Sequence, residues 1–218
     1  MKSLVLPRIF KPFYCPDLIR LGKENDGGYL VNVIDVKKTS RLLSFGIGSD
    51  ISFEEDFIKI NDCKIDAYDG TIEKIPEFFK DNKVFHTTNI EYNFHEYVYL
   101  DQNNIFLKCD IEDSEYLILD ALIRKSKNFS GIVIEFHKVH DYARFNLLTN
   151  FIAKTHLKLI HVHANNNSYI ETNDRFIPDC LELTFTSSDN IMYTDIELPH
   201  NLDMPNTSQR NELNIVFE

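Results

Sequence analysis

Apolar positions along this chain fall into short continuous runs separated by stretches with helical spacing, and that alternation predicts most of the architecture. Arg41–Phe45 reads as a buried strand, Cys63–Tyr68 as a second, Val84–Thr87 as a short third and Ile105–Cys109 as a fourth. Ile132–Phe136 and Leu157–Val162 supply a fifth and a sixth. Between them, Ser52–Ile60 has the pattern of a helix, and Ile72, Ile75, Phe78 and Phe79 carry a helical stripe interrupted by Pro76. Tyr116, Leu119, Leu122 and Ile123 make Ser114–Lys125 a helix, and Phe145, Leu148 and Ile152 stripe another. Strands apolar at every position bury both faces, so the expected class is α/β: a mostly parallel sheet with helices on both faces. The tail differs. Cys180–Phe185 and Leu213–Phe217 alternate with period two and read as late, partly antiparallel strands at one side of the sheet.

The length of 218 residues suits one domain over 1–218, with residues 1–40 as a lead-in of weak periodicity. Pro7, Pro12 and Pro16 argue against a long helix before Leu18. Asp26-Gly-Gly-Tyr29 is a turn between apolar runs, which reads as a hairpin or as a segment that closes over a ligand. The polar stretch 165–173 and the segment 198–210 are expected loops.

The chemistry centres on Leu42-Leu-Ser-Phe-Gly-Ile-Gly-Ser-Asp50, where a strand enters two closely spaced glycines and a helix follows. Gly46 and Gly48 let the chain turn where a side chain would keep a ligand off the backbone. Ser52 and Glu55 have the spacing of a capping box. A dinucleotide fingerprint wants a third glycine where Ile51 stands, which disfavours a nicotinamide-dependent oxidoreductase, the alternative enzyme reading. Asp69 ends the second strand 23 residues after Gly46, near the place of an acid that bonds ribose hydroxyls; as Asp-Gly it is also an ordinary turn residue. The segment resembles the first motif of S-adenosylmethionine-dependent methyltransferases, with Ser44 where that motif usually has an acid and Asp50 where it has a third glycine.

The fourth strand runs into Lys108-Cys-Asp-Ile-Glu-Asp-Ser-Glu115. Asp110 and Glu112 can converge at the sheet's carboxyl edge, there to hold an acceptor, pair with an ammonium group, bind a divalent cation, or cap the following helix. This stretch is similar to the Lys-x-Asp-Ile-Glu-Gly-x-Glu of FkbM-type methyltransferases, matching at Lys108, Asp110, Ile111, Glu112 and Glu115 and departing at Asp113. Asp26-Gly-Gly-Tyr29 and His161-Val-His-Ala-Asn-Asn166 agree with the same family, and the resemblance spans roughly residues 18 to 185. It implies a Rossmann-like fold, S-adenosylmethionine as donor, and O-methylation of sugar-containing or other small polar acceptors, such as precursors of a surface glycan. The donor side would then comprise Gly46, Gly48, Ser49, Asp69, Asp110, Asp26 and Tyr29.

His137 follows the fifth strand and can take a hydroxyl proton, with Glu135 two residues earlier to orient it. His163 on the sixth strand is a weaker candidate for the same part, and either histidine can instead be a packed residue. Asp110, Glu112, His137 and His163 together offer oxygen and nitrogen ligands for magnesium or manganese. A non-catalytic binding domain of the same fold is the third reading.

Composition narrows the partners. Lys+Arg 23 against Asp+Glu 34 gives −11, which disfavours nucleic acid and leaves a small-molecule acceptor. Cys15, Cys63, Cys109 and Cys180 show no pairing pattern and no zinc spacing. With no signal-like start and no spanning segment, a cytoplasmic protein without membrane insertion is expected.

Overall fold

The computed structural model describes residues 3–79, 83–90, 102–173 and 175–218. The lead-in carries β1 (Leu4–Leu6), the strands β2 (Leu18–Leu21) and β3 (Tyr29–Asn32), and the short helix α1 (Val33–Lys38). The repeating part follows with β4 (Arg41–Phe45), α2 (Ser52–Ile60), β5 (Lys64–Tyr68), β6 (Lys83–His86) and β7 (Ile105–Cys109). It continues through α3 (Leu119–Lys125), β8 (Phe129–Phe136), α4 (Tyr142–Lys154) and β9 (Lys158–Ala164). The tail adds β10 (Tyr169–Glu171), β11 (Phe176–Pro178), β12 (Leu181–Thr186) and β13 (Ile215–Phe217).

A seven-stranded sheet has the order β6-β5-β4-β7-β8-β12-β9. The run from β6 to β8 is parallel, and β12 is antiparallel to both β8 and β9. The class is therefore the expected α/β one, with a mostly parallel sheet and a late antiparallel strand. Neighbouring residues on one strand face opposite layers, as the two-residue period requires. Leu42, Ile65 and Phe106 pack with Val36 of α1 and with Phe53 and Phe57 of α2. Leu43 and Leu107 pack on the other face with Leu119 and Leu122 of α3 and with Leu148 and Phe151 of α4. Each fully buried side chain of this size contributes roughly 1.5–3 kcal/mol, so both layers hold the sheet. No helix among the described residues is long and apolar enough to cross a membrane.

Five details differ from the sequence expectation. The polar stretch 165–173, expected as a loop, carries the short strand β10. Ile72–Phe79 forms bends and turns rather than a helix, because Pro76 interrupts a segment too short to nucleate one. The run Leu30–Ile34 is strand only to Asn32, whose side chain accepts from the Ile34 amide and starts α1. The helix read over Ser114–Lys125 divides into a 3-10 turn at Glu115–Leu117 and α3. Finally, β13 leaves the main sheet. It lies parallel to β1 in a second sheet of order β10-β11-β1-β13, while β12 sits inside the main sheet between β8 and β9.

The hairpin β2–β3 pairs Leu21 with Tyr29 and closes through Asp26-Gly-Gly. It lies against the main sheet, where the Thr184 hydroxyl donates to the Leu30 carbonyl at 2.6 Å. Its turn end is fastened to the start of α2, because the Gly22 amide donates to Asp56 at 3.0 Å and the Lys23 amide to the Ser52 hydroxyl at 2.9 Å.

The strand order reverses between β4 and β7, at the switch point where open α/β sheets form their crevice. There the two backbones nearly touch. A Cβ on Gly46, whose φ is +70°, would lie 1.6 Å from the Asp110 carbonyl oxygen. A Cβ on Gly48, at φ +59°, would meet nothing within 4 Å. Gly46→Ala is therefore expected to cost several kcal/mol or prevent folding, whereas Gly48→Ala pays only the left-handed backbone, about 1–2 kcal/mol. Urea denaturation of the two variants checks this, and equal losses would show that the seam between β4 and β7 yields.

Candidate active site

The turn after β4 is built from backbone amides and carboxylates. The Gly48 amide donates to Asp69 Oδ2 at 2.8 Å, and Asp69 Oδ1 accepts from the Thr71 amide and hydroxyl at 2.7 and 2.6 Å. Burial would raise the Asp69 carboxyl, but these bonds outweigh it and hold the group below its ordinary value. Asp69 thus stands as an anion at the carboxyl end of β5, touching the glycine turn. The capping box does not form. Ser52 is the first helical residue and its hydroxyl faces Lys23, while Asp50 accepts the Ser52 amide at 3.0 Å.

Glu54, in the first turn of α2, reaches under the glycine turn and accepts a hydrogen bond from the Ser44 hydroxyl. The helix therefore brings an acid to the strand position where the family motif usually carries one. Glu54 is 1% exposed, and its Oε2 has no hydrogen-bond partner among the described residues. Burial raises its pKa, with the Lys108 charge and the Ser44 bond pulling the other way.

At the end of β7, Lys108 Nζ donates to the Gly46 carbonyl at 2.6 Å and tightens the seam. The chain beyond then leaves the extended conformation, with Glu112 and Asp113 at φ +51° and +88°. Asp113 occupies the place of the family's glycine, and Arg144 supports its left-handed backbone through bonds of 2.6 and 2.7 Å to its two carboxylate oxygens. Asp110 and Glu112 do not occupy the N-cap of the next helical turn, which is Ser114. Both instead face His137 Nε2, at 3.9 Å for Asp110 Oδ1 and 3.5 Å for Glu112 Oε2.

Glu115, not Glu135, orients His137: its Oε1 lies 2.9 Å from Nδ1. The same oxygen accepts the Ile111 and Asp113 amides at 3.1 and 3.3 Å. Burial would lower the imidazole pKa, but the Glu115 bond and the charges of Glu115, Glu135 and Asp110 raise it to about 9. The sequence expectation is an unperturbed imidazole, and the surrounding carboxylates instead favour its protonated form.

Glu135 lines the same cavity but bonds elsewhere, to Asn165 Nδ2 at 2.9 Å and the Tyr29 hydroxyl at 3.4 Å. Burial first, then the charges of Glu182 and Asp110, push its pKa to about 8. Tyr29 also donates to Asp110 Oδ2 at 3.2 Å, and burial beside these carboxylates carries its hydroxyl well above the ordinary phenol value. Sequence reasoning missed Glu54 and Asn165 as members of the site. Asn165 stood in a quoted motif, whereas Glu54 is visible only as an acid one turn beyond the glycines.

Two cavities adjoin at this point. One, of about 370 Å³, is lined by Asp26, Tyr29, Ser49, Glu54, Asp110 and His137 among others. The other, of about 570 Å³, is lined by Asp69, Thr71, Asn89, Ile90, Ile111 and Leu117 among others. Ile47, Gly48, Asp110 and Glu112 belong to both walls. Candidates on the glycine turn, the hairpin and the strand ends are thus gathered around one crevice, except His163, which lines neither cavity.

No protein-family model matches the chain, and no curated protein matches it. Among solved structures, it is similar to an rRNA methylase from Streptococcus thermophilus (11% identity, TM-score 0.45, covering 71% of this chain and 90% of that one). It is also similar to precorrin-6y C5,15-methyltransferase from Geobacter metallireducens (11%, 0.45, 71% and 86%). A third likeness is to the fibrillarin pre-rRNA processing protein of Methanococcus jannaschii (13%, 0.41, 70% and 68%). At this level of similarity the neighbours carry no argument about chemistry.

Among the proposed metal ligands, Asp110, Glu112 and His137 come together and His163 does not. It is clamped between Glu182 and Glu212, each 3.1 Å away on opposite ring nitrogens. The segment 198–212 is pinned beside it. Asp203 meets His161 at 3.0 Å, Asn166 bonds the Thr207 and Arg210 carbonyls, and Asn206 bridges Asp26 and Glu182. Burial would lower the His163 pKa, but Glu182 and Glu212 raise it well above normal. Burial would raise Asp203, but His161, His163 and the His200 amide hold it low. A raised histidine stabilises fully below its unfolded pKa of ~6.5 and loses that contribution as pH climbs through the folded value. A depressed aspartate stabilises above ~3.9 and loses it as pH falls through the folded value. His200, lowered by burial and by His161, adds a smaller loss on acidification. Hydrogen exchange across 199–212, corrected for intrinsic rate, is expected to be slowest in mildly acidic solution and faster on both sides. His163→Gln should remove the alkaline limb and Asp203→Asn the acid limb. A flat profile in the wild type would sink the clamp.

Proposed function

We propose that this chain is an S-adenosylmethionine-dependent methyltransferase acting on a hydroxyl of a small polar acceptor. The observation that carries the reading is the pair of cavities meeting at Gly48 and Asp110, one suited to a nucleoside and the other to a polar acceptor. The larger cavity offers Ile90, Ile111 and Leu117 as apolar walls and Asp69 as an anion for ribose hydroxyls. The open space over Gly48 leaves room for a ligand against the backbone, and the unpartnered Oε2 of Glu54 fits an ammonium group on the other side of the turn.

S-adenosylmethionine supplies an electrophilic methyl group on a sulfonium and has no proton to lose. The protein's part is alignment of the two reactants and removal of the acceptor's proton. Asp110 borders both cavities, so its carboxylate stands beside the path between donor and acceptor. Burial raises its pKa, while Lys108 and His137 oppose that rise. In this reading Asp110 Oδ2, facing the Tyr29 hydroxyl, holds the acceptor hydroxyl and receives its proton. His137, whose charged form the surrounding carboxylates favour, acts as the electrostatic partner of Asp110 and Glu112. Neighbouring Glu135 and Asn165 fix the acceptor's orientation. The polar lining supports a hydroxyl-rich acceptor such as a sugar, as the family resemblance implies.

Thermal shift with S-adenosylmethionine, its demethylated product and nicotinamide dinucleotides tests the donor. The first two are expected to raise Tm and the dinucleotides to leave it unchanged; the reverse would replace the proposal with an oxidoreductase. Asp69→Ala should weaken donor binding by roughly 1–3 kcal/mol through lost charge-assisted bonds. Glu54→Gln, which preserves shape, should weaken it about tenfold. Unchanged affinity in both folded variants would place the donor elsewhere.

A further inference from the structure

We propose that Asp110, Glu112 and His137 form a divalent-cation site, with Glu115 holding the histidine from behind. The inference stands on the geometry of these residues and is independent of the donor's identity.

The argument begins with the imidazole. Glu115 Oε1 lies 2.9 Å from Nδ1, so the Nδ1 proton points at a carboxylate and the Nε2 face is turned toward the cavity. That is the arrangement by which proteins prepare a histidine for a metal, because the carboxylate fixes the tautomer and raises ligand basicity. Nε2 then faces Glu112 Oε2 at 3.5 Å and Asp110 Oδ1 at 3.9 Å. Adjacent ligands on an octahedral cation with bonds of ~2.1 Å stand about 3 Å apart, so the Asp110 and Glu112 carboxylates both swing inward to close around an ion, a movement open to Glu112 because its side chain is 88% exposed.

A second observation points the same way from outside the three ligands. Glu115 is fully buried, and its Oε2 has no hydrogen-bond partner among the described residues. Asp110, Glu115 and His137 each offer a ligand atom within 4.8 Å of the others. Glu135 adds another carboxylate to the same wall. Against these acids stand His137 and Lys108, whose ammonium donates to the Gly46 carbonyl and lies 4.0 Å from Asp110 Oδ2. Buried negative charge in excess of its partners is costly, and a divalent cation offsets it.

The ligand set selects the ion. Two carboxylates and one imidazole suit manganese or magnesium more than a thiophilic metal. Coordination through Asp110 Oδ1 leaves Oδ2 with Tyr29, so the ion and the acceptor hydroxyl use different oxygens.

The test uses the full-length chain freed of metal by chelation and titrated with Mn²⁺, followed by calorimetry and by electron paramagnetic resonance. One Mn²⁺ per chain is expected, with a nitrogen coupling from imidazole that disappears in His137→Gln. Glu112→Gln is the safest variant, because that side chain is 88% exposed, and it should weaken Mn²⁺ binding at least tenfold without loss of fold. Glu115→Gln should weaken it about 10- to 100-fold although it donates no ligand. Absence of a bound ion at millimolar Mn²⁺ would overturn the site, as would wild-type affinity in Glu112→Gln or a bound ion without nitrogen coupling. The same metal-free protein is scanned with S-adenosylmethionine, so failure of the cation site and failure of the donor reading give different results.

Discussion

The structure depends on one close approach, between the backbones of Gly46 and Asp110. The Asp110 amide donates to the Phe45 carbonyl at 3.0 Å, and Lys108 reaches across to the Gly46 carbonyl. Because no Cβ intervenes, the turn after β4 and the loop after β7 lie wall to wall. That contact makes Gly48 and Asp110 the shared border of two cavities. A bulkier residue at Gly46 would part the strands, and with them the two cavities that meet there. The position of the chemistry is therefore set by packing before any charged group takes part.

The charges follow from the same seam. Acids arrive from α2, β7 and β8, and few cations accompany them into the interior. Burial favours the neutral form of each carboxyl, while His137 and Lys108 favour the anion, and the local balance decides every group separately. Asp69 is held ionised by amides and a hydroxyl. Glu135, with two carboxylates nearby, is pushed toward neutrality. His137, set among these acids, is pushed toward its charged form.

Much of the sheet was legible in the sequence, because strands covered on both faces must be apolar at every position. What the pattern could not express was the partner of each strand. Ile215–Phe217 alternates like any edge strand, yet it pairs with Leu4–Leu6 from the opposite end of the chain. The run after Tyr29 is uniformly apolar around Asn32, and a single side-chain bond to the Ile34 amide changes strand into helix. Helical spacing over Ile72–Phe79 reported burial of a stripe, not helical backbone.

The site residues failed or succeeded for a related reason. Two-residue alternation placed Glu135 and His137 on one side, and both do line one cavity. His137 lies just past the end of β8, however, where the extended geometry that would set its neighbours has stopped. Its partner comes instead from Glu115, in the 3-10 turn that follows the left-handed residues Glu112 and Asp113. His163 lies inside β9, so register governs it: β12 sets Glu182 opposite His163 on one side and opposite Glu135 on the other. One glutamate thus separates the two histidine environments, helping to clamp the first into the fold while its charge raises the carboxyl beside the second. Residues within strands answer to register, and residues beyond strand ends answer to loops, which is why the crevice keeps its freedom for chemistry where the sheet stops.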